Sequence, residues 1–168
     1  MTIHHHTMRT PLIFLLGLAV GLAVRTGVAQ DRRLPGGNGI NHLAFATPKY
    51  NEMMQFYTQT LGFPEAFSNK NADGQPTLTY LQASRNTFIE LMPAGANRSA
   101  GFTHFGVHVD DVQAVAARLR ERGLQVGTPR IIGSGSLTVA ITDPDGNRLE
   151  LSELPPGSPA RKAMDAWK

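Results

Sequence analysis

Two histidines and two glutamates stand at matching places in two similar stretches of this chain. His42 lies in Gly39-Ile40-Asn41-His42-Leu43-Ala44-Phe45, and His104 lies in Gly101-Phe102-Thr103-His104-Phe105-Gly106-Val107. Glu90 follows the first histidine by 48 residues, and Glu150 follows the second by 46. A lone histidine in a strand is usually hydrogen-bonded or at the surface, and a lone glutamate usually faces water. Recurrence of both types at both places argues for a shared task, and the task these side chains suit is metal ligation. Two imidazoles and two carboxylates leave room for water in an octahedral shell. That set suits Zn or Ni, with Co, Mn or Fe also open, better than calcium.

The elements that must position these residues are legible from periodicity. Each opening stretch alternates apolar with small or polar residues, as a strand does. A helical stretch follows, Tyr50 to Leu61 in the first copy and Val112 to Arg122 in the second. Asp110 or Asp111 is placed to cap the second helix, and Gly62 and Gly123 stop the two. Strands are then predicted at Thr77 to Gln82, Thr87 to Met92, Leu137 to Thr142 and Arg148 to Glu153. The intervening turns are Ser84-Arg85-Asn86 and Asp143-Pro144-Asp145-Gly146-Asn147. Asn69 to Gln75 is expected as a polar loop, Pro155 to Pro159 as an irregular tail, and Ala160 to Lys168 as a short helix.

Each copy therefore comprises a strand, a helix, and two or three more strands. Modules of this size bury too little surface to stand alone, so the two are expected edge to edge in one curved sheet. Alternation puts His42, Glu90, His104 and Glu150 on the face opposite their apolar neighbours. Buried there together, two carboxylates repel and lose solvation, and a divalent cation offsets both costs. His108 and Arg148 share that face. His108 is about 13 Å along the strand from His104, too far to be a direct ligand, and it either lines the pocket or holds a structural hydrogen bond. Arg148 is placed either to bind an anionic substrate group or to balance nearby carboxylates. Tyr80 and Phe88 are candidate pocket walls or core residues.

Composition narrows the classes further. Sixteen Lys and Arg against thirteen Asp and Glu give a net charge of +3 with no basic stripe, so nothing points to nucleic acid. With no cysteine in the chain, disulfides, thiolate zinc sites, a cysteine nucleophile and a bacterial lipid anchor are all excluded. Arg9, the uncharged apolar run from Pro11 to Val24, and the small residues Gly27 and Ala29 form the pattern of a secretory signal peptide, with cleavage expected after Ala29. The run is shorter than the about 20 residues that a membrane span needs, although an uncleaved anchor is the alternative. The mature protein is thus expected to be exported, to the periplasm or beyond. His4, His5 and His6 lie upstream and are set aside. The organisation expected is a signal segment at 1–29, a linker at 30–37, modules at 38–97 and 101–154, and a tail at 155–168.

The same residues resemble a known family. Phe56-Tyr57-Thr58-Gln59-Thr60-Leu61-Gly62-Phe63 and Asp143-Pro144-Asp145-Gly146-Asn147-Arg148-Leu149-Glu150-Leu151 are similar to conserved-type segments of the vicinal oxygen chelate superfamily, glyoxalase I-like branch. The resemblance covers about Gly39 to Leu154. It implies an α+β fold of two βαβββ modules, with the sheet curved and helices outside. It implies a homodimer, with each metal held by both modules, usually across the subunit interface. It implies a lyase or isomerase acting on a small carbonyl or thiol adduct, with Glu150 as the base and an enediolate held at the metal. Ala46 stands where glyoxalase I often carries an arginine that contacts glutathione. Two other readings stay open. One is a different metal enzyme of the superfamily, an extradiol dioxygenase or thiol transferase, which uses two His and one Glu. The other is a non-catalytic protein that binds small molecules.

Overall fold

Strands β1 (Gly37–Thr47) and β5 (Gly101–Val109) open the two halves and pair antiparallel at the centre of the molecule. The computed structural model describes residues 33–34 and 36–168. The expected signal segment, and with it the apolar run, lies outside the described residues. After β1 come α1 (Tyr50–Gln55), a π-helical turn (Phe56–Thr60), and strands β2 (Glu65–Lys70), β3 (Pro76–Ser84) and β4 (Thr87–Pro93). After β5 come α2 (Val112–Glu121) and strands β6 (Arg130–Ile131), β7 (Leu137–Thr142) and β8 (Arg148–Glu153). A last helix, α3, spans Pro159–Ala166.

All eight strands form one sheet in the order β2-β3-β4-β1-β5-β8-β7-β6. β1 runs parallel to β4, and β5 runs parallel to β8. The other neighbours are antiparallel, so each half repeats the same path and the halves meet through β1 and β5. The sheet curls into a half-barrel, and its two edges approach each other: Asn69 of β2 donates to the Gly133 carbonyl just after β6 at 2.5 Å. This is the curved mixed sheet that the repeat implied.

The two long-chain faces differ in what covers them. On the outer face, Val112, Val115, Ala116 and Leu119 of α2 bury against Val109, Val139 and Leu151. Asp111 caps this helix by accepting from the Ala114 amide at 2.9 Å, and Glu153 of β8 accepts from the Val112 amide at 3.1 Å. In the first half, Tyr50 of α1 meets Thr79 on the outer side of β3 at 2.5 Å. The inner face carries Tyr80 and Phe88. There α3 packs its Ala160 and Met164, together with Leu154.

Two local expectations need correction. The first helix was expected to run unbroken from Tyr50 to Leu61, but it widens after Gln55 into a π turn. Thr58 Oγ1 donates to the Met54 carbonyl at 2.8 Å, and the Leu61 amide reaches back to Phe56 at 3.0 Å. A hydroxyl that competes for a helical carbonyl loosens the ladder at that point. The polar loop expected at Asn69 to Gln75 is shorter, because Asn69 and Lys70 extend β2 along β3. Its polar residues conceal an edge strand, since edge strands need bury little. No helix among the described residues is long and apolar enough to cross a membrane.

The α2 core yields a direct prediction. Leu119→Ala is expected to cost about 2–5 kcal/mol, and Asp111→Ala about 1 kcal/mol. Urea denaturation of each variant measures both, and equal small losses would mean α2 is not part of the main core.

Candidate metal centre

The strand registers explain why four distant residues meet. Across the four central strands, Glu90, Ala44, His104 and Arg148 fall in one row, and Phe88, His42, Gly106 and Glu150 fall in the next. Within each row a small residue separates a histidine from a glutamate. The imidazole lies over that small residue to reach the glutamate. At Gly106 this is a steric requirement: a Cβ there would sit 2.1 Å from His42 Cε1. Ala44 plays the matching part beneath His104 and is fully buried.

The four side chains converge within a single chain. His42 Nε2 is 3.6 Å from Glu90 Oε2 and 3.7 Å from Glu150 Oε2. His104 Nε2 is 3.6 Å from each of the same two oxygens. The two rings stand edge to face, with centroids 5.2 Å apart. Both modules supply side chains to the centre, as the resemblance implied. Edge-to-edge pairing of β1 with β5 in one chain brings both halves' side chains together.

Both imidazoles are oriented by the residue before them. His42 Nδ1 lies 3.1 Å from Asn41 Oδ1, and His104 Nδ1 lies 2.9 Å from Thr103 Oγ1. Thr103 already donates its one hydroxyl proton to the Ala44 carbonyl at 3.2 Å. It must therefore accept from His104, whose Nδ1 carries the proton. Asn41 spends its amide nitrogen on the Asn86 carbonyl at 3.4 Å, which leaves its oxygen to accept from His42. Each Nε2 thus presents a bare lone pair to the centre, the arrangement metal-binding histidines use.

The two carboxylates are treated differently. Tyr80 donates to Glu90 Oε2 at 2.9 Å. Arg148 holds Glu150 Oε1 at 2.6 Å, and Glu150 Oε2 has no partner. His42 Nε2, His104 Nε2 and Glu150 Oε2 are all buried polar atoms without a hydrogen bond. Such atoms are rare and each costs about 1–3 kcal/mol. Ligand atoms of His42, His104 and Glu150 all lie within 4.8 Å of one another, so a cation between them would satisfy all three. Glu90 borders this trio and already has Tyr80 as a donor.

Charge shifts follow from burial. Desolvation is the largest influence on His42 and lowers its pKa below the ordinary 6.5, although Glu90 and Glu150 pull it upward. At Glu90, burial pushes upward most strongly, but the neighbouring His104 and His42 imidazoles and the Tyr80 hydroxyl together outweigh it and leave the pKa below 4.5. Burial first, then Glu90, drives the Tyr80 hydroxyl well above 10, so it remains a donor.

Other candidate residues stand apart. His108 is half-buried and pairs with Ser152 in the register of β5 with β8. Burial lowers its pKa, with Asp110 opposing and Arg161 adding to the shift. Phe88 is fully buried under α3 and is a core residue rather than an open pocket wall. Tyr80 serves both core and centre. Arg148 pairs with Glu150, and its side chain remains partly exposed. Sequence reasoning missed Asn41, Thr103 and Gly106. A signal for them existed: each histidine is preceded by a side chain that can accept a hydrogen bond and followed two places later by a small residue.

With this geometry in hand, similarity to known proteins places the chain. Residues 39–151 match the Glyoxalase/Bleomycin resistance protein/Dioxygenase superfamily, and the chain belongs to it. It is 27% identical to a 2-epi-5-epi-valiolone epimerase of Actinomyces sp., covering 76% of this chain and 86% of that protein. It is 26% identical to a protein of Vibrio cholerae described as a probable lactoylglutathione lyase, covering 67% and 88%. Its fold matches that of methylmalonyl-CoA epimerase from Mycobacterium tuberculosis with a TM-score of 0.63 at 22% identity, over 76% of this chain and 95% of the other.

Two outcomes test this geometry. Gly106→Ala is expected to turn the His42 ring aside and cost about 1–3 kcal/mol; an unmoved His42 signal in histidine-selective NMR would show that the strands yield instead. Because the folded pKa of His42 lies below its unfolded value, the metal-free protein binds fewer protons folded than unfolded below pH 6.5. Its stability is present above that pH and is lost as pH falls through the folded pKa. Chemical denaturation between pH 7.5 and 5.5 reads the slope, and a flat profile would contradict a neutral buried His42.

Proposed function

We propose that this chain is a metal-dependent enzyme that moves a proton at a carbon next to a carbonyl, through an enediolate. The observation that carries this reading is the trio of orphaned, buried ligand atoms on His42, His104 and Glu150, bordered by a second carboxylate. His42, His104 and Glu150 would hold the ion, with Glu90 as an adjoining fourth donor. A divalent cation held there supplies Lewis acidity toward the oxygen that gains charge. Zn or Ni fits the donor set best.

The chain's own groups account for the rest. Glu150 takes the proton from carbon on the oxygen that Arg148 leaves free, so that His42, His104 and Glu90 would hold the ion during that step; the C–H electron pair becomes the new C=C bond and the carbonyl π pair moves to oxygen. Arg148 fixes one Glu150 oxygen, so the other is aimed at the centre. Return of the proton to the neighbouring carbon, with the hydroxyl proton passing to the former carbonyl oxygen, gives isomerisation, the lactoylglutathione lyase-like outcome. A general base of this kind contributes about 10²–10⁴-fold.

A second reading, epimerisation, rests on a specific feature. Two carboxylates approach the same pair of imidazoles from different strands, β4 and β8, and they have different partners. In this reading Glu150 takes a proton from carbon and Glu90, carrying a proton taken up from solvent, returns one to the opposite face of the same carbon, the two carboxylates exchanging protonation states at each turnover. Named epimerases among the similar proteins support it. Buried Ala46 in place of an arginine removes one anchor for a glutathione adduct and favours a substrate without that thiol. The substrate is a small molecule in either case. We also propose export through the signal segment, and a homodimer as the working assembly.

The test is solvent-deuterium exchange followed by NMR, with hemithioacetals and α-hydroxy ketones as substrates, before and after metal removal. Metal-dependent exchange is expected, falling at least about 100-fold in Glu150→Gln. Normal exchange by that variant would remove Glu150 as the base. Oxygen uptake with a catechol and Fe(II) would favour a dioxygenase, and stoichiometric binding without exchange would favour a binding protein.

A further inference from the structure

We infer that the C-terminal segment Leu154–Trp167 is a gate across the mouth of the curled sheet, and that a substrate reaches the centre only when α3 lifts. His42, Glu90, His104 and Glu150 are between 1% and 5% exposed. No small molecule touches their inner atoms through so little surface, so some covering element opens. The strands carry the ligands, and α2 is the core of the second half, so neither can move without dismantling the site or the fold. α3 differs from both. It has eight residues, and only Ala160 and Met164 among them are buried.

Its position is that of a bar over an opening. Ala160 and Met164 rest on Tyr80 and Phe88 in the first half. Gln82 Nε2 donates to the Ala163 carbonyl at 3.2 Å, and Arg85 donates to the Trp167 carbonyl at 3.3 Å. From the second half, His108 feels the charge of Arg161. The Tyr80 ring beneath the helix is 5.5 Å from the His42 ring. The segment Pro155-Pro156-Gly157 leads into the helix, with Gly157 at φ 85°, and Ser158 caps it.

The far end of α3 is tied to the first half by the Gln82 and Arg85 hydrogen bonds, and it borders open space. A cavity of about 440 Å³ lies there, with Ala163, Ala166, Trp167 and Lys168 on one wall and Pro64, Glu65, Ala66 and Gln82 on the other. Gln82 stands two residues from Tyr80, on the same face of β3. Raising this end of the helix joins the cavity to the Tyr80 hydroxyl and so to the centre. The cavity then holds the remainder of a substrate whose reacting end is at Glu150. The gate rests on the reading of the centre as the place where chemistry happens, and its test is independent of metal.

Diethyl pyrocarbonate acylates accessible neutral imidazoles, and peptide mapping reads each histidine separately. The full chain, stripped of metal, is compared with Met164→Ala and with a deletion of residues 155–168. His42 and His104 are expected to react at least tenfold faster in both variants, with strand amide exchange unchanged. In Met164→Ala, emission from Trp167, the one tryptophan of the chain, is expected to shift toward that of an exposed indole. Should the deletion fail to fold, Met164→Ala carries the test alone. Histidine rates within twofold of the parent overturn the gate. A metal titration on the same samples separates the two claims: faster histidine modification without metal uptake supports the gate and sinks the metal reading.

Discussion

The antiparallel pairing of β1 with β5 sets everything at the centre of this molecule. In that register His42 opposes Gly106 and His104 opposes Ala44. Each imidazole therefore lies across a residue with almost no side chain and meets the glutamate one strand beyond. A slip of β1 by one residue against β5 would turn His42 to the outer face and away from His104, because side chains alternate along a strand. The small residues are thus as necessary to the site as the ligands are.

Burial then decides how those ligands behave. In a dry centre an unpaired carboxylate or imidazolium is costly, and the structure answers by holding His42 neutral and fixing both Nδ1 protons outward. What remains is a set of inward lone pairs and two carboxylate charges against one guanidinium, an arrangement that favours a cation. The two carboxylates are not equivalent. Tyr80 ties up an oxygen of Glu90, whereas Arg148 leaves an oxygen of Glu150 bare. Two carboxylates in different environments are suited to different proton-transfer tasks.

The family match ends at residue 151, before α3 begins. The matched region contains His42, Glu90, His104 and Glu150, and the helix laid over the inner face lies beyond it. It packs on Tyr80, which itself bonds Glu90, so the covering segment and the centre share a residue.

The repeat, the alternation and the residue types were enough to determine the two-module fold and to single out four residues on one face of its sheet. Those properties are local: strand periodicity and turn chemistry act over a few residues, and duplication makes each half a check on the other. Other features needed the folded chain. Asn69 and Lys70 read as loop because an edge strand needs no apolar face. Arg148 and Phe88 occupy matching places in the two halves, yet one grips a glutamate and the other is sealed beneath α3. The meeting of both modules' side chains, the different partners of Glu90 and Glu150, and the packing of α3 on Tyr80 and Phe88 all arise from contacts between segments far apart in sequence. Periodicity carries no information about such contacts, because they are set by strand register and by where the last helix comes to rest.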